Sequence, residues 1–210
     1  TPARRIAMQY SPQNAIPYIS RVDAGTIELI RSFGIEVATA ADLVQRFEAV
    51  WSDTQLASHR EAAEKLRLIV NEAFAHVGAA ITAQPPLTEH GLQQFILSRI
   101  KAHGLVTSTA PIAAVNAHSA DPHYGPAPQG SAEIRRGDLV LIDLWAKRPE
   151  PGSVYADITW TGFIDPTVPA RQQEVFHIVR EARDAALAFV RTRVLAGDFP
   201  CGWEVDEVCR

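Results

Sequence analysis

Residues 137–164 read GDLVLIDLWAKRPEPGSVYADITWTGFI, and two of its aspartates, Asp143 and Asp157, one on each of two predicted strands, decide the fold. Residues 139–142 (LVLI) form a short, nearly continuous apolar run, the pattern of a strand buried on both faces. Asp143 ends that run, and a carboxylate there is costly unless a cation or hydrogen-bond donors compensate it. Residues 147–153 (KRPEPGS) are charged and rich in Pro and Gly, which predicts a turn. Residues 154–164 are rich in β-branched and aromatic side chains and predict a second strand, with Asp157 inside it. A hairpin built this way brings the two carboxylates together, where they repel and one tends to protonate. A divalent metal ion, or a pair of them, resolves the conflict. Spacing alone also allows a blander arrangement, in which one Asp caps a turn and the other makes a surface ion pair.

The segments LIDLWA (residues 141–146) and YADITWT (residues 155–161), with NAHSADPHYGP (residues 116–126) upstream, resemble the M24 metallopeptidases of the pita-bread fold: methionine aminopeptidases, aminopeptidase P and prolidase, with creatinase on the same scaffold. The resemblance implies an α+β fold. Residues 51–210 would be the first half of a pita-bread (creatinase/aminopeptidase) catalytic domain, preceded in residues 1–50 by the remnant of an α/β N-terminal domain. It implies Asp143 as a ligand of one metal and Asp157 as the ligand bridging two, the ions being Mn, Co, Zn or Fe. His123, followed by Tyr124, takes the position that hydrogen-bonds substrate. Thr159, two residues after Asp157 and so on the same strand face, orients the bridging carboxylate or the water.

The implied activity is that of a metal-dependent exopeptidase cleaving Xaa-Pro bonds in peptides or dipeptides, acting in the cytoplasm as a homodimer of the full-length protein. One histidine and two glutamates complete the metal set in that family, and none is matched here. The expectation is therefore a fragment, cut at both ends and inactive alone. Three features depart from the family pattern: the aspartates lie fourteen positions apart, across a turn longer than usual, Trp145 stands where a small residue is common, and Trp160 stands where arginine is common. Two rival readings remain on the same scaffold. One is a metal-free, creatinase-like hydrolase of a C–N bond with His123 as base, and the other a binding protein that has lost catalysis.

Composition narrows the field. With 210 residues, 47% hydrophobic and a net charge of −4, the chain can build a substantial core. No basic cluster beyond Arg4-Arg5 and Arg135-Arg136 invites nucleic acid. No apolar run reaches the roughly 20 residues of a membrane span, and the first residues lack the apolar segment of a leader peptide. Cys201 and Cys209 form neither a disulfide framework nor a zinc spacing, and are expected as free thiols in a reducing compartment.

Elsewhere the pattern is mainly helical. Apolar residues recur at helical steps from Leu66 to Ile81, behind a cap at Ser52 or Asp53. Thr88 caps a second helix, with Glu89 in its first turn at the favourable end of the dipole. A long helix over residues 169–194 is expected to bury Val175, Phe176 and Val179 and to turn His177 to water. Short strands are expected at residues 6–8, 35–37 and 112–115, and short helices at 24–32, from after Thr39 through Phe47, and from Gly202. His59 and His76 are read as packed or surface residues, and His118 as a solvent-exposed loop residue.

Overall fold

The computed structural model describes residues 4–210, so the first three residues of the expected N-terminal segment lie outside the described residues. The chain divides into two compact units. One takes in Thr1–Arg67, Ile100–Ser108 and Trp145–Asp157, and the other Leu68–Arg99, Thr109–Leu144 and Ile158–Arg210.

The first unit opens with β1 (Arg5–Met8) and β2 (Glu36–Thr39), which pair in parallel and are joined through α1 (Ala24–Ser32). Asp23 caps α1 by accepting from the Thr26 amide at 3.0 Å, and Ile27 is the residue of that helix that is buried. A short α2 (Ala41–Glu48) follows, and then α3 (Asp53–Ala80) begins. Ser52 and Gln55 cap α3 reciprocally: the Gln55 amide donates to Ser52 Oγ, and the Ser52 amide to Gln55 Oε1. The start of α3 also holds the tip of the aspartate hairpin. The Val154 amide donates to Ser58 Oγ at 3.1 Å, His59 Nδ1 donates to the Tyr155 carbonyl at 2.7 Å, and Arg148 reaches Glu61 at 3.0 Å. The long turn between the strands is thus fixed against a helix.

The second unit contains the larger core. Ile69, Val70, Ala73 and Val77 of α3, Leu92 and Ile96 of α4 (Glu89–Ala102), and Ala113, Ala114, Val140, Ile142 and Leu144 of the sheet are sealed from water. Within this unit Arg99 reaches across from α4 to Glu72 of α3 at 2.6 Å, and Gln93 donates to the Pro111 carbonyl at 2.8 Å. The sheet has the order β3-β4-β5, with β3 (Ile112–Val115), β4 (Leu139–Ala146) and β5 (Ala156–Phe163). β3 and β4 are antiparallel, with Ile112 opposite Asp143 and Val115 opposite Val140. Gly137 and Asp138 close the hairpin on Ile164 through two 2.9 Å backbone bonds. Gly137 does so at φ +90°, as the extra residue of a bulge, where a side chain would be strained. Counting five residues on from Asp138 and five back from Ile164 sets Asp143 opposite Thr159.

Two expectations need correction. β4 is not buried on both faces, and Asp143 does not end it. Val140, Ile142, Leu144 and Ala146 are buried, while Leu139, Leu141, Asp143 and Trp145 are only half-buried. The run looked continuous because apolar residues also line the open face. Second, α5 (Ala170–Leu195) has no buried residue, and Val175, Phe176 and Val179 are 42%, 52% and 63% exposed. Its pattern is amphipathic, and the short α6 (Gly202–Cys209) packs on it, yet most of the apolar stripe meets water.

Candidate active site

The open face of the β3-β4-β5 sheet carries the candidate site. Strand alternation sends Val140, Ile142 and Leu144 into the core and leaves Leu141 and Asp143 on the other side. Thr159 Oγ1 donates to Asp143 Oδ1 at 2.6 Å, the short distance of a hydroxyl–carboxylate bond. Asp143 and Thr159 line a cavity of about 380 Å³ together with Ile112, Leu141 and the segment Ser119, Ala120, Asp121, Pro122. That segment runs directly into His123. The His123 amide donates to Asp121 Oδ1 at 2.9 Å and its side chain is exposed, one residue beyond the cavity lining. Asp157 lies on β5, also exposed, and belongs to the first unit. The structure therefore brings Asp143, Thr159 and the approach to His123 to one cavity, and it pairs the Thr159 hydroxyl with Asp143. Among the described residues no group of three or more His, Cys, Asp or Glu side chains is arranged to hold a metal ion.

The segment that carries His123 is anchored at both ends. Asn116, at φ +50°, a region Asn tolerates, donates to Asp138 Oδ1 at 2.7 Å and accepts from the Leu139 amide at 3.0 Å. The stronger anchor is Glu89, which is fully buried. Its Oε1 accepts from the Val115 amide at 2.7 Å and from His118 Nδ1 at 2.8 Å. Its Oε2 accepts from the Tyr124 hydroxyl at 2.6 Å and from the Ala132 amide at 2.9 Å. The His118 and Tyr124 rings stack with centroids 4.5 Å apart. Burial pushes the Glu89 carboxyl up, but the donors from Tyr124, His118, Ala132 and Val115 outweigh it and hold the group below the usual carboxylate range. Burial and the Glu89 charge push the Tyr124 phenol up to about 12.

His118 is therefore no free loop residue, since its ring is bound to a buried carboxylate; four donors converging on Glu89 override the loop composition. Glu89 itself is the residue that sequence reasoning misses, because in sequence it reads only as a helix-start charge. His59 and His76 are packed as expected, His76 stacking on Phe95 at 4.0 Å.

The model of metallopeptidase family M24 matches residues 57–210. Xaa-Pro aminopeptidase 2 of Streptomyces coelicolor is 27% identical over 167 residues, 78% of this chain and 34% of that protein, and its namesake in Streptomyces lividans matches equally. The chain thus spans about a third of the length of these curated relatives. Among solved structures, dipeptidase PepE from Mycobacterium ulcerans superposes with a TM-score of 0.59 at 23% identity, covering 79% of this chain and 42% of that one. A prolidase from Pyrococcus horikoshii gives 0.57 at 25% identity, covering 80% and 45%. The X-Pro aminopeptidase from Thermotoga maritima gives 0.56 at 23%, covering 88% and 47%. The mixed helix-and-sheet fold is that of the pita-bread prolidases and aminopeptidases P.

Proposed function

Because the chain belongs to metallopeptidase family M24, we propose that it supplies part of a metal-dependent exopeptidase that hydrolyses Xaa-Pro bonds of peptides or dipeptides. The observation that carries the reading is the Thr159–Asp143 bond at 2.6 Å, on an open sheet face walled by the segment leading to His123. A carboxylate on that face, gripped by a neighbouring hydroxyl, is held in one orientation for a ligand. The Xaa-Pro preference is carried over from the aminopeptidases and prolidases that the chain resembles.

Asp143 and Asp157 are the residues of this chain that would hold divalent ions, since carboxylates are the oxygen donors that manganese, cobalt, zinc or iron accept. When bound, such a pair supplies a water acidified to near-neutral pKa for attack on the peptide carbonyl. The chemistry of these two donors fits, but their number does not complete a two-metal set, and the missing histidine and glutamates are to be sought in the rest of the protein. Thr159 fixes the Asp143 carboxylate. His123 donates a hydrogen bond to the substrate oxygen on which negative charge develops.

The same reading makes residues 1–50 the end of an α/β domain and residues 51–210 the first half of the catalytic domain. It also makes the full-length protein a cytoplasmic homodimer, a setting in which the free Cys201 and Cys209 stay reduced. No helix among the described residues is long and apolar enough to cross a membrane.

The test uses the whole protein. Xaa-Pro dipeptide cleavage is followed after adding each of the four metals in turn, with metal content measured directly. Asp157→Asn is expected to lose both metal and turnover while keeping its circular dichroism spectrum. Full activity in a metal-verified Asp157→Asn variant sinks the mechanism. Undiminished C–N hydrolysis in metal-free protein favours the creatinase-like alternative, and absence of turnover with all four metals favours a binding protein.

A further inference from the structure

Glu89 is used by nothing in the chemistry above, yet it is fully buried and accepts four hydrogen bonds. An ionised carboxylate offers about four acceptor positions, and all four are taken by donors from three separate places in the chain: the end of β3, the turn of residues 116–124, and the return at Ala132. Two of those donors, His118 and Tyr124, bracket the turn that presents His123. Tyr124 is the direct neighbour of His123. His123 sits inside a turn closed by the Tyr124 amide donating to the Asp121 carbonyl at 3.1 Å, so drawing the Tyr124 ring inward onto Glu89 fixes the end of the turn that carries His123. The burial agrees: Tyr124 is half-buried and His123 is exposed. The turn has few other ties of its own, chiefly the Asp121 carboxylate on the His123 amide and two backbone bonds, Asp121 to His118 and Tyr124 to Asp121.

We propose that Glu89, acting through Tyr124 and His118, is the positioning residue that sets where the His123 ring meets the substrate. This rests on the role given to His123 above. A residue that acts only through His123 matters only while His123 is present, which distinguishes it from one that merely stabilises the fold.

The experiment is a double-mutant cycle on the whole, metal-loaded protein, with an Xaa-Pro dipeptide as substrate. It compares wild type, Tyr124→Phe, His123→Ala and the double variant, at a temperature where circular dichroism shows each folded and with metal content checked. Tyr124→Phe removes one grip and keeps the ring. It is expected to lower kcat about tenfold with KM changed by no more than about twofold, the signature of misplacement rather than lost binding. In the His123→Ala background the same change is expected to cost nothing further. Glu89→Gln, where it folds, is expected to behave in the same way. An equal loss in both backgrounds, or no loss in either, overturns the positioning role alone. Undiminished turnover in His123→Ala overturns the role of His123, and the positioning inference with it.

Discussion

Replacing Glu89 by glutamine preserves the shape of the side chain and tests how much the buried carboxylate contributes. Each Glu89 oxygen serves two donors, one backbone amide and one side chain. The glutamine amide keeps one oxygen and puts an NH2 where the other was. The two adaptable partners can respond, because a tyrosine hydroxyl can turn to accept and a histidine can change tautomer. The backbone amide on the NH2 side cannot. Val115 is buried and Ala132 half-buried, so the cheaper orientation points the NH2 at Ala132 and Tyr124. One orphaned amide costs about 1–3 kcal/mol, and exchanging charged for neutral acceptors on the remaining bonds costs about 1 kcal/mol each. The expected destabilisation is therefore about 3–5 kcal/mol at neutral pH, the range for breaking a buried charged arrangement.

The pH dependence follows from the direction of the carboxyl shift. Glu89 is held below its reference of 4.5 in the folded state, so it stabilises fully above that pH, and the contribution is lost as pH falls below it. Tyr124, pushed up to about 12, stays neutral throughout that range, and His118 is the other titratable group facing the carboxylate. Urea unfolding followed by tryptophan fluorescence should show a wild-type advantage that is steady between about pH 6 and 8 and shrinks below about pH 4.5. A difference under about 1 kcal/mol at neutral pH would refute the reasoning, since a carboxylate with four converging donors cannot then be what holds this loop.

The other expectations are narrower. Gly162 of β5 faces Phe74 of α3, and a β-carbon built there would lie 2.5 Å from the ring; Gly162→Ala should destabilise by about 1–3 kcal/mol in chemical denaturation, as overpacking does. Thr159→Val keeps the shape but removes the hydroxyl bound to Asp143, and should weaken divalent-metal affinity of the whole protein by about tenfold to a hundredfold in calorimetric titration, the usual loss when a ligand's supporting partner is removed. An unchanged dissociation constant would leave Thr159 without that role. Ser58→Ala deprives the Val154 amide of its acceptor, and should speed hydrogen exchange in residues 147–155 by roughly tenfold, as expected for one lost bond; exchange at the wild-type rate would mean that the hairpin tip is held elsewhere.

The helices were legible because their ends are written locally. Ser52 with Gln55, Asp23 with Thr26, Thr88 with Gly91, and glycines at positive φ after α1 and α4 all act within a few residues. What packs on a helix is not local. The stripe Val175, Phe176, Val179 on α5 reads as a buried face in sequence, but burial needs a partner surface, and the periodicity of one helix carries no information about whether one is present. β4 failed for a related reason. Leu139, Leu141 and Trp145 are as apolar as the residues that alternate with them, so a half-open strand imitated a fully buried one.

The candidate site divides along the same line. Asp143 and Thr159 each stand out in sequence, Thr159 as the support of the Asp157 carboxylate or the water; the bond of its hydroxyl to Asp143 instead comes from the adjacency that the hairpin sets across two strands. Glu89 meets its partners at separations of 26, 29, 35 and 43 residues, which no local pattern encodes. One trace was nonetheless present. A glutamate in the first turn of a helix is ordinarily explained by the cap and the dipole, but here Thr88 already caps α4, its hydroxyl accepting from the Gly91 amide at 3.1 Å. The dipole accounts for at most a fraction of the cost of burying a carboxylate completely. An acidic residue that a helix start does not need, placed just after the Gln-Pro-Pro break at residues 84–86 where the chain enters its core, has to find its donors elsewhere, and the polar loop beyond β3, with His118 and Tyr124 on it, is where this chain supplies them.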